Sequence, residues 1–118
     1  MTNNKNSTRY YSKKQENKIA KTLNGKTVAN SGAAMFCGGD VKLDEFLIEC
    51  KTLTTPKDSM TIKKEWLTKI KEESIAKRKP YSALTIDFGQ SDNYFIIDEK
   101  LFKLLLELIN DKNKEEDI

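Results

Sequence analysis

The sequence predicts a single α/β domain with the element order α-β-β-β-α-β-β-α, and three observations carry that prediction. A chain of 118 residues has room for one core and not for a second folded unit. From Glu45 to Lys51 the side chains alternate, with Phe46, Ile48 and Cys50 on one face and Glu45, Leu47, Glu49 and Lys51 on the other, which is the two-residue period of a strand. Ile62, Trp66, Leu67 and Ile70 instead recur at helical spacing within about 61–77, and strand-like runs stand on both sides of that helix.

Residues 1–11 are polar, with Asn3, Asn4, Asn6, Ser7 and Thr8 beside Lys5 and Arg9, and read as a flexible basic arm. Order is expected from Ser12, where Ser12 and Gln15 have the spacing of a capping box. Ile19, Ala20 and Leu23 give the first helix its apolar face, and Asn24-Gly25 ends it. Short strands are expected over 26–29 and 41–43, separated by a loop through Asn30-Ser31-Gly32 and Gly38-Gly39; Asp44 then turns the chain into the alternating strand. Pro80 closes the central helix, 82–88 and 93–97 read as two further strands, and Asp98 caps a last helix running to about Asn110. The folded domain is thus expected over 12–110, with 111–118 as a charged tail.

Composition excludes several chemistries. The chain has no histidine, which removes Ser-His and Cys-His hydrolases and histidine-ligated metal sites. Its two cysteines, Cys37 and Cys50, form no CxxC pair and are expected to be reduced, Cys50 as a small apolar core residue. Carboxylates and lysines remain as reactive groups, and an essential metal would be a hard ion held by oxygen, Mg²⁺ or Mn²⁺. No apolar run is long enough for a membrane helix or a secretion signal, so the protein is expected to act in the cytoplasm where it is made. The net charge of +3 is unevenly placed: Lys5, Arg9, Lys13, Lys14, Lys18 and Lys21 face only Glu16 near the start, whereas Glu115, Glu116 and Asp117 crowd the end. That asymmetry suits a polyanionic partner, and it also suits a merely solvated lysine surface.

The alternating strand carries the chemistry. Its period places Glu49 and Lys51 on one face, and the preceding turn brings Asp40 alongside from the neighbouring strand. Two carboxylates on adjacent strands can hold a divalent metal that activates water and neutralises a phosphate. Asp40 and Glu49 are the expected ligands, the Cys50 backbone carbonyl can add a third, and Lys51 can orient the water or stabilise charge developing on the phosphate.

Gly39-Asp40, eight intervening residues and Glu49-Cys50-Lys51 resemble the D-x(n)-E-x-K signature of PD-(D/E)XK nucleases. The resemblance covers roughly residues 12–89 and implies a restriction-endonuclease-like core, αβββαβ, with a mixed central sheet flanked by helices; the C-terminal helix is an addition. Gly39 departs from the family's name, standing where that name has proline. Glu16 in the first helix and Ser31-Gly32 before the aspartate are similar to archaeal and phage-type Holliday junction resolvases. The likeness implies that Glu16 completes the metal site and that Ser31 assists near the scissile phosphate. It further implies a Mg²⁺-dependent endonuclease acting on branched DNA, with four-way junctions of phage or mobile-element recombination as substrate and the host cytoplasm as its place. A general or nicking duplex endonuclease of restriction or repair type is the alternative within the class. A non-catalytic DNA-binding or host-factor-inhibiting protein is the alternative outside it.

For DNA contact the candidates are Arg9, Lys13, Lys14, Lys63 and Lys64; the last two either grip phosphates or cover a solvated helix face. Trp66 is expected in the core, since Ile62 and Ile70 lie one turn away on either side, although a tryptophan can also stack on a base. Asp87 and Asp92 are expected to serve a strand end and a turn. The last helix is apolar nearly all round, with Leu101, Phe102, Leu104, Leu105, Leu106, Leu108 and Ile109, which predicts a two-fold homodimer through it or the sheet beside it. No small-molecule cofactor is expected.

Overall fold

The computed structural model describes residues 8–28, 39–90 and 92–116. Its elements are α1 (Thr8–Leu23), β1 (Lys26–Thr27), β2 (Val41–Lys42), β3 (Phe46–Thr52), α2 (Lys64–Ala76), β4 (Tyr81–Asp87), β5 (Asn93–Ile96) and α3 (Glu99–Glu116), in the order read from the sequence. The five strands form one mixed sheet in the order β1-β2-β3-β4-β5. Only β3 and β4 run parallel, because α2 carries the chain back across the sheet between them; every other pair is antiparallel.

β3 lies at the centre and is buried on both faces, with Leu47 and Ile48 at 0% and 1% exposure. Ile48 and Cys50 pack with Ile19 and Ala20 of α1, Val41 of β2 and Ala83 of β4. The opposite face presents Leu47, Glu49 and Lys51, in register with Ser82, Leu84 and Ile86, toward α2. The alternation expected over Glu45 to Lys51 is therefore the division between two helical layers.

The chain leaves both α1 and α2 through a residue with positive φ. After α1 it is Asn24 (φ 57), and the Gly25 amide donates back to the Ala20 carbonyl at 2.8 Å. After α2 it is Arg78 (φ 58), with the Arg78 and Lys79 amides donating to the Ile75 and Ser74 carbonyls. Both are Schellman-type endings, which use the left-handed residue to satisfy carbonyls the helix leaves open. Lys79 then reaches the Leu43 and Asp44 carbonyls with its Nζ, tying the β2–β3 turn to the start of β4.

Three helix boundaries differ from expectation. α1 is already helical at Thr8, so residues 8–11 belong to the helix and not to an arm, and Tyr10 and Tyr11 pack edge to face at 5.2 Å. Ser12 accordingly caps nothing, and Gln15 is buried and used elsewhere. α2 begins at Lys64, which leaves Ile62 40% exposed ahead of it. α3 continues past Asn110 to Glu116, because Asp111 to Glu116 contains no breaker and is rich in Lys and Glu, which propagate a helix readily. Asp98 does cap α3 as expected: the Leu101 amide donates to its Oδ1 at 2.8 Å and holds the carboxyl below its usual pKa. Trp66 is half-buried instead of lying within the core.

Gly39, immediately before β2, has φ +77, and a Cβ there would stand 2.5 Å from Leu47 Cγ. Proline cannot adopt that φ, since its ring fixes φ near −65°. Glycine at this position is thus a local backbone requirement. Gly39→Ala is expected to cost about 1–3 kcal/mol, through positive-φ strain and overpacking of Leu47. Urea denaturation would register this as a lower midpoint at unchanged slope.

Candidate active site

β2 begins only at Val41, paired with Ile48, while β3 runs on past that point to Thr52, and the functional side chains gather at that break. The Asp40 amide donates to the Ile48 carbonyl at 2.8 Å, and the Asp40 carboxylate accepts from the Cys50 amide at 2.7 Å. The Asp40 side chain thus takes the place of the next rung of the ladder. Amide and carbonyl of one residue point to the same edge of a strand, so the Cys50 carbonyl is directed to the edge where Asp40 stands.

Glu49 meets Asp40 side chain to side chain. Burial, the Asp40 charge, their mutual hydrogen bond and the charge of Glu73 raise the Glu49 pKa to about 7, against the opposing pull of Lys51. Glu16 approaches from α1. Burial and the Asp40 charge raise its pKa to about 7 as well, with Lys13 opposing. The Glu16 and Glu49 carboxyls therefore each sense the charge of Asp40, which stands just before β2. Burial, helped by the same three carboxyls, raises the Cys50 thiol well above its ordinary value, so it stays protonated and unreactive.

Lys51 Nζ lies 3.7 Å from Glu49 Oε1 and 4.7 Å from the centroid of the Trp66 ring. The carboxylate and the indole hold the ammonium at the site's rim. From there a groove of about 560 Å³ runs between Lys51, Thr52, Lys57, Ser59, Thr61 and Trp66. Lys63 Nζ stands 5.9 Å from the same ring, and Lys63 and Lys64 are exposed. Arg9 and Lys13 are exposed and precede Glu16 by seven and three residues, on one face of α1, while Lys14 is exposed beside them. Ser31 and Cys37 lie outside the described residues. Asp87 is buried and accepts from the Gly89 and Gln90 amides, the turn role expected of it; Asp92 is exposed.

Two site residues escaped the sequence reading. Gln15 is 4% exposed, and its Nε2 donates to the Lys51 carbonyl at 2.9 Å and to Asn93 Oδ1 at 3.2 Å, which fixes α1 across β3 and β5. Its spacing to Ile19 was the available signal, obscured by the capping-box pattern. Glu73 was lost among the charges of α2; only its placement opposite β3 reveals it as a further carboxyl acting on Glu49.

Among the described residues no three His, Cys, Asp or Glu side chains form a metal-holding group. A magnesium ion asks for less, since it commonly keeps several waters and takes one or two carboxylates from the protein. Asp40 and Glu49, with the Cys50 carbonyl directed to the same edge, make an oxygen-only set of that kind, with Glu16 within electrostatic range. Among the described residues no helix is long and apolar enough to cross a membrane. Comparison with protein-family models, curated proteins and solved structures finds no match.

The raised carboxyls give stability a definite pH dependence. Unfolded Glu16 and Glu49 titrate near 4.5 and the folded ones at about 7. Between these values the folded chain binds more protons than the unfolded one, so stability falls as pH rises through that window. Thermal melts in EDTA are expected to show a higher Tm at pH 5 than at pH 8. Glu49→Gln should reduce that difference, and an identical difference in the variant would contradict the raised value.

Proposed function

We propose that the protein is a metal-dependent DNA endonuclease of the PD-(D/E)XK kind, hydrolysing phosphodiester bonds and acting on branched DNA, with four-way junctions as the leading substrate. The observation that carries this reading is the meeting of Asp40, Glu49 and Lys51 at the end of β2, with Glu16 beside them. The sheet and helix order supports it, because a mixed sheet with α1 on one face and α2 on the other accommodates the αβββαβ core.

Asp40, Glu49 and the Cys50 carbonyl are the groups to hold Mg²⁺ or Mn²⁺, with Glu16 beside them. When bound, the ion would supply Lewis acidity toward the phosphate and would make a coordinated water more acidic. Lys51 supplies the positive charge. Held between Glu49 and Trp66, it is placed to orient the attacking water or to stabilise charge developing on the phosphate. Arg9, Lys13, Lys14, Lys63 and Lys64, with the groove that Lys57 and Trp66 line, offer cationic positions for a nucleic-acid backbone. Trp66, half open beside that groove, can stack on a base.

The lack of a three-acid group among the described residues favours a second reading, in which the same surface binds DNA without cutting it. A gel assay with labelled four-way, flapped, nicked and linear DNA in Mg²⁺, Mn²⁺ and EDTA separates the two. Metal-dependent nicking is expected, concentrated on the junction. Asp40→Ala and Glu49→Ala should abolish cleavage while DNA binding persists, and Lys51→Ala should slow it by about 10²-fold or more. Cutting of all duplexes would assign a general endonuclease, and undiminished activity in either acid variant would remove the proposal.

A further inference from the structure

Helix α3 carries two apolar ridges with different fates. Leu101, Leu104 and Leu108 form the first. Leu101 is buried and Leu104 half-buried where the helix leaves the body, but Leu108 is 56% exposed, so the helix outruns the surface that covers it. Phe102, Leu105, Leu106 and Ile109 form the second ridge, which is open along its whole length at 55%, 38%, 44% and 55% exposure. Four apolar residues at i, i+3, i+4 and i+7 make the diamond-shaped patch through which two helices cross.

We infer that this patch is a dimer interface, in which α3 packs antiparallel against α3 of a second copy about a two-fold axis passing between Leu105 and Leu106. In that register Phe102 lies level with Ile109 of the second copy, and Leu105 with its Leu106, so each apolar side chain meets another. The charges select the direction. Lys112, which flanks the patch near one end, comes to the second copy's helix N-terminus, where Asp98 and Glu99 stand, and the helix dipoles oppose each other favourably. A parallel pairing would set Glu99 beside Glu99 and Lys112 beside Lys112. A single surface thus supplies the apolar centre and both signs of charge, which is the self-complementarity a two-fold contact requires. This inference holds whether or not the site cuts DNA.

Light scattering after size exclusion is the first test, at micromolar protein, where the full chain is expected at twice its 13.5 kDa mass. Leu106→Glu should run at the single-chain mass with an unchanged far-ultraviolet circular dichroism spectrum, since Leu106 is exposed. Orientation follows from cross-linking in a Cys37→Ser background. Phe102→Cys protein mixed with Ile109→Cys protein should form a disulfide-linked pair, and Phe102→Cys alone should not. A wild-type chain at single mass, a dimer that survives Leu106→Glu, or cross-linking of Phe102→Cys to itself would each overturn the inference.

Discussion

The hydrogen bond from the Cys50 amide to the Asp40 carboxylate is the contact on which the site depends. A sheet that lost its β2 neighbour at this point would leave the β3 edge open, with unpaired backbone groups half-buried against α1. Asp40 answers the Cys50 amide with a side chain in place of a main-chain carbonyl. The ladder stays satisfied while a carboxylate is inserted where a strand would otherwise pass. Gly39 makes this possible: its positive φ turns the chain into β2 close against Leu47, where a Cβ has no space. The sheet break, the glycine and the aspartate are thus one device.

That device is electrostatically unfavourable on its own. Burial, and after it the Asp40 charge, raises Glu49 and Glu16 to pKa values of about 7. Lys51 and Lys13 offset part of it. A fold seeking stability alone would replace such a group with apolar side chains, because like charges half out of water oppose folding. A divalent cation would relieve the repulsion more fully than either lysine can. The arrangement is therefore one that a bound cation would stabilise, in keeping with the function proposed.

Much of this was legible in the sequence because period and turn chemistry act locally. The alternation of β3, the Asn24-Gly25 ending of α1 and the Asp98 cap of α3 each rest on residues close in the chain, and each stands as read. The Asp40, Glu49 and Lys51 grouping was also legible, since a short hairpin fixes which side chains face one another. What could not be read depends on distant partners. Gln15 has the spacing of a cap, yet its amide finds Lys51 and Asn93 instead, thirty-six and seventy-eight residues away. Trp66 has core spacing, but the lysines that share its ring hold it at the rim. The extent of α3 failed for another reason: charge density suggested a tail, whereas the Lys and Glu residues of 111–116 sustain a helix.

The largest fully buried side chains are Leu47, Ile48, Ile70, Leu84, Val41 and Thr85, which belong to β2, β3, β4 and α2. They lie directly behind the carboxyl cluster, while β1, the outer part of β5 and most of α3 bury little. Local opening in a small domain begins where few apolar contacts must be broken, so the rim elements should open before the strands that carry Asp40, Glu49 and Lys51. Unfavourable charge is best tolerated where the backbone is held most firmly, because there it cannot relax by local unfolding and must remain as stored electrostatic strain. The chain places its thin core accordingly: the few residues it can bury are concentrated beneath the group that most needs a rigid support.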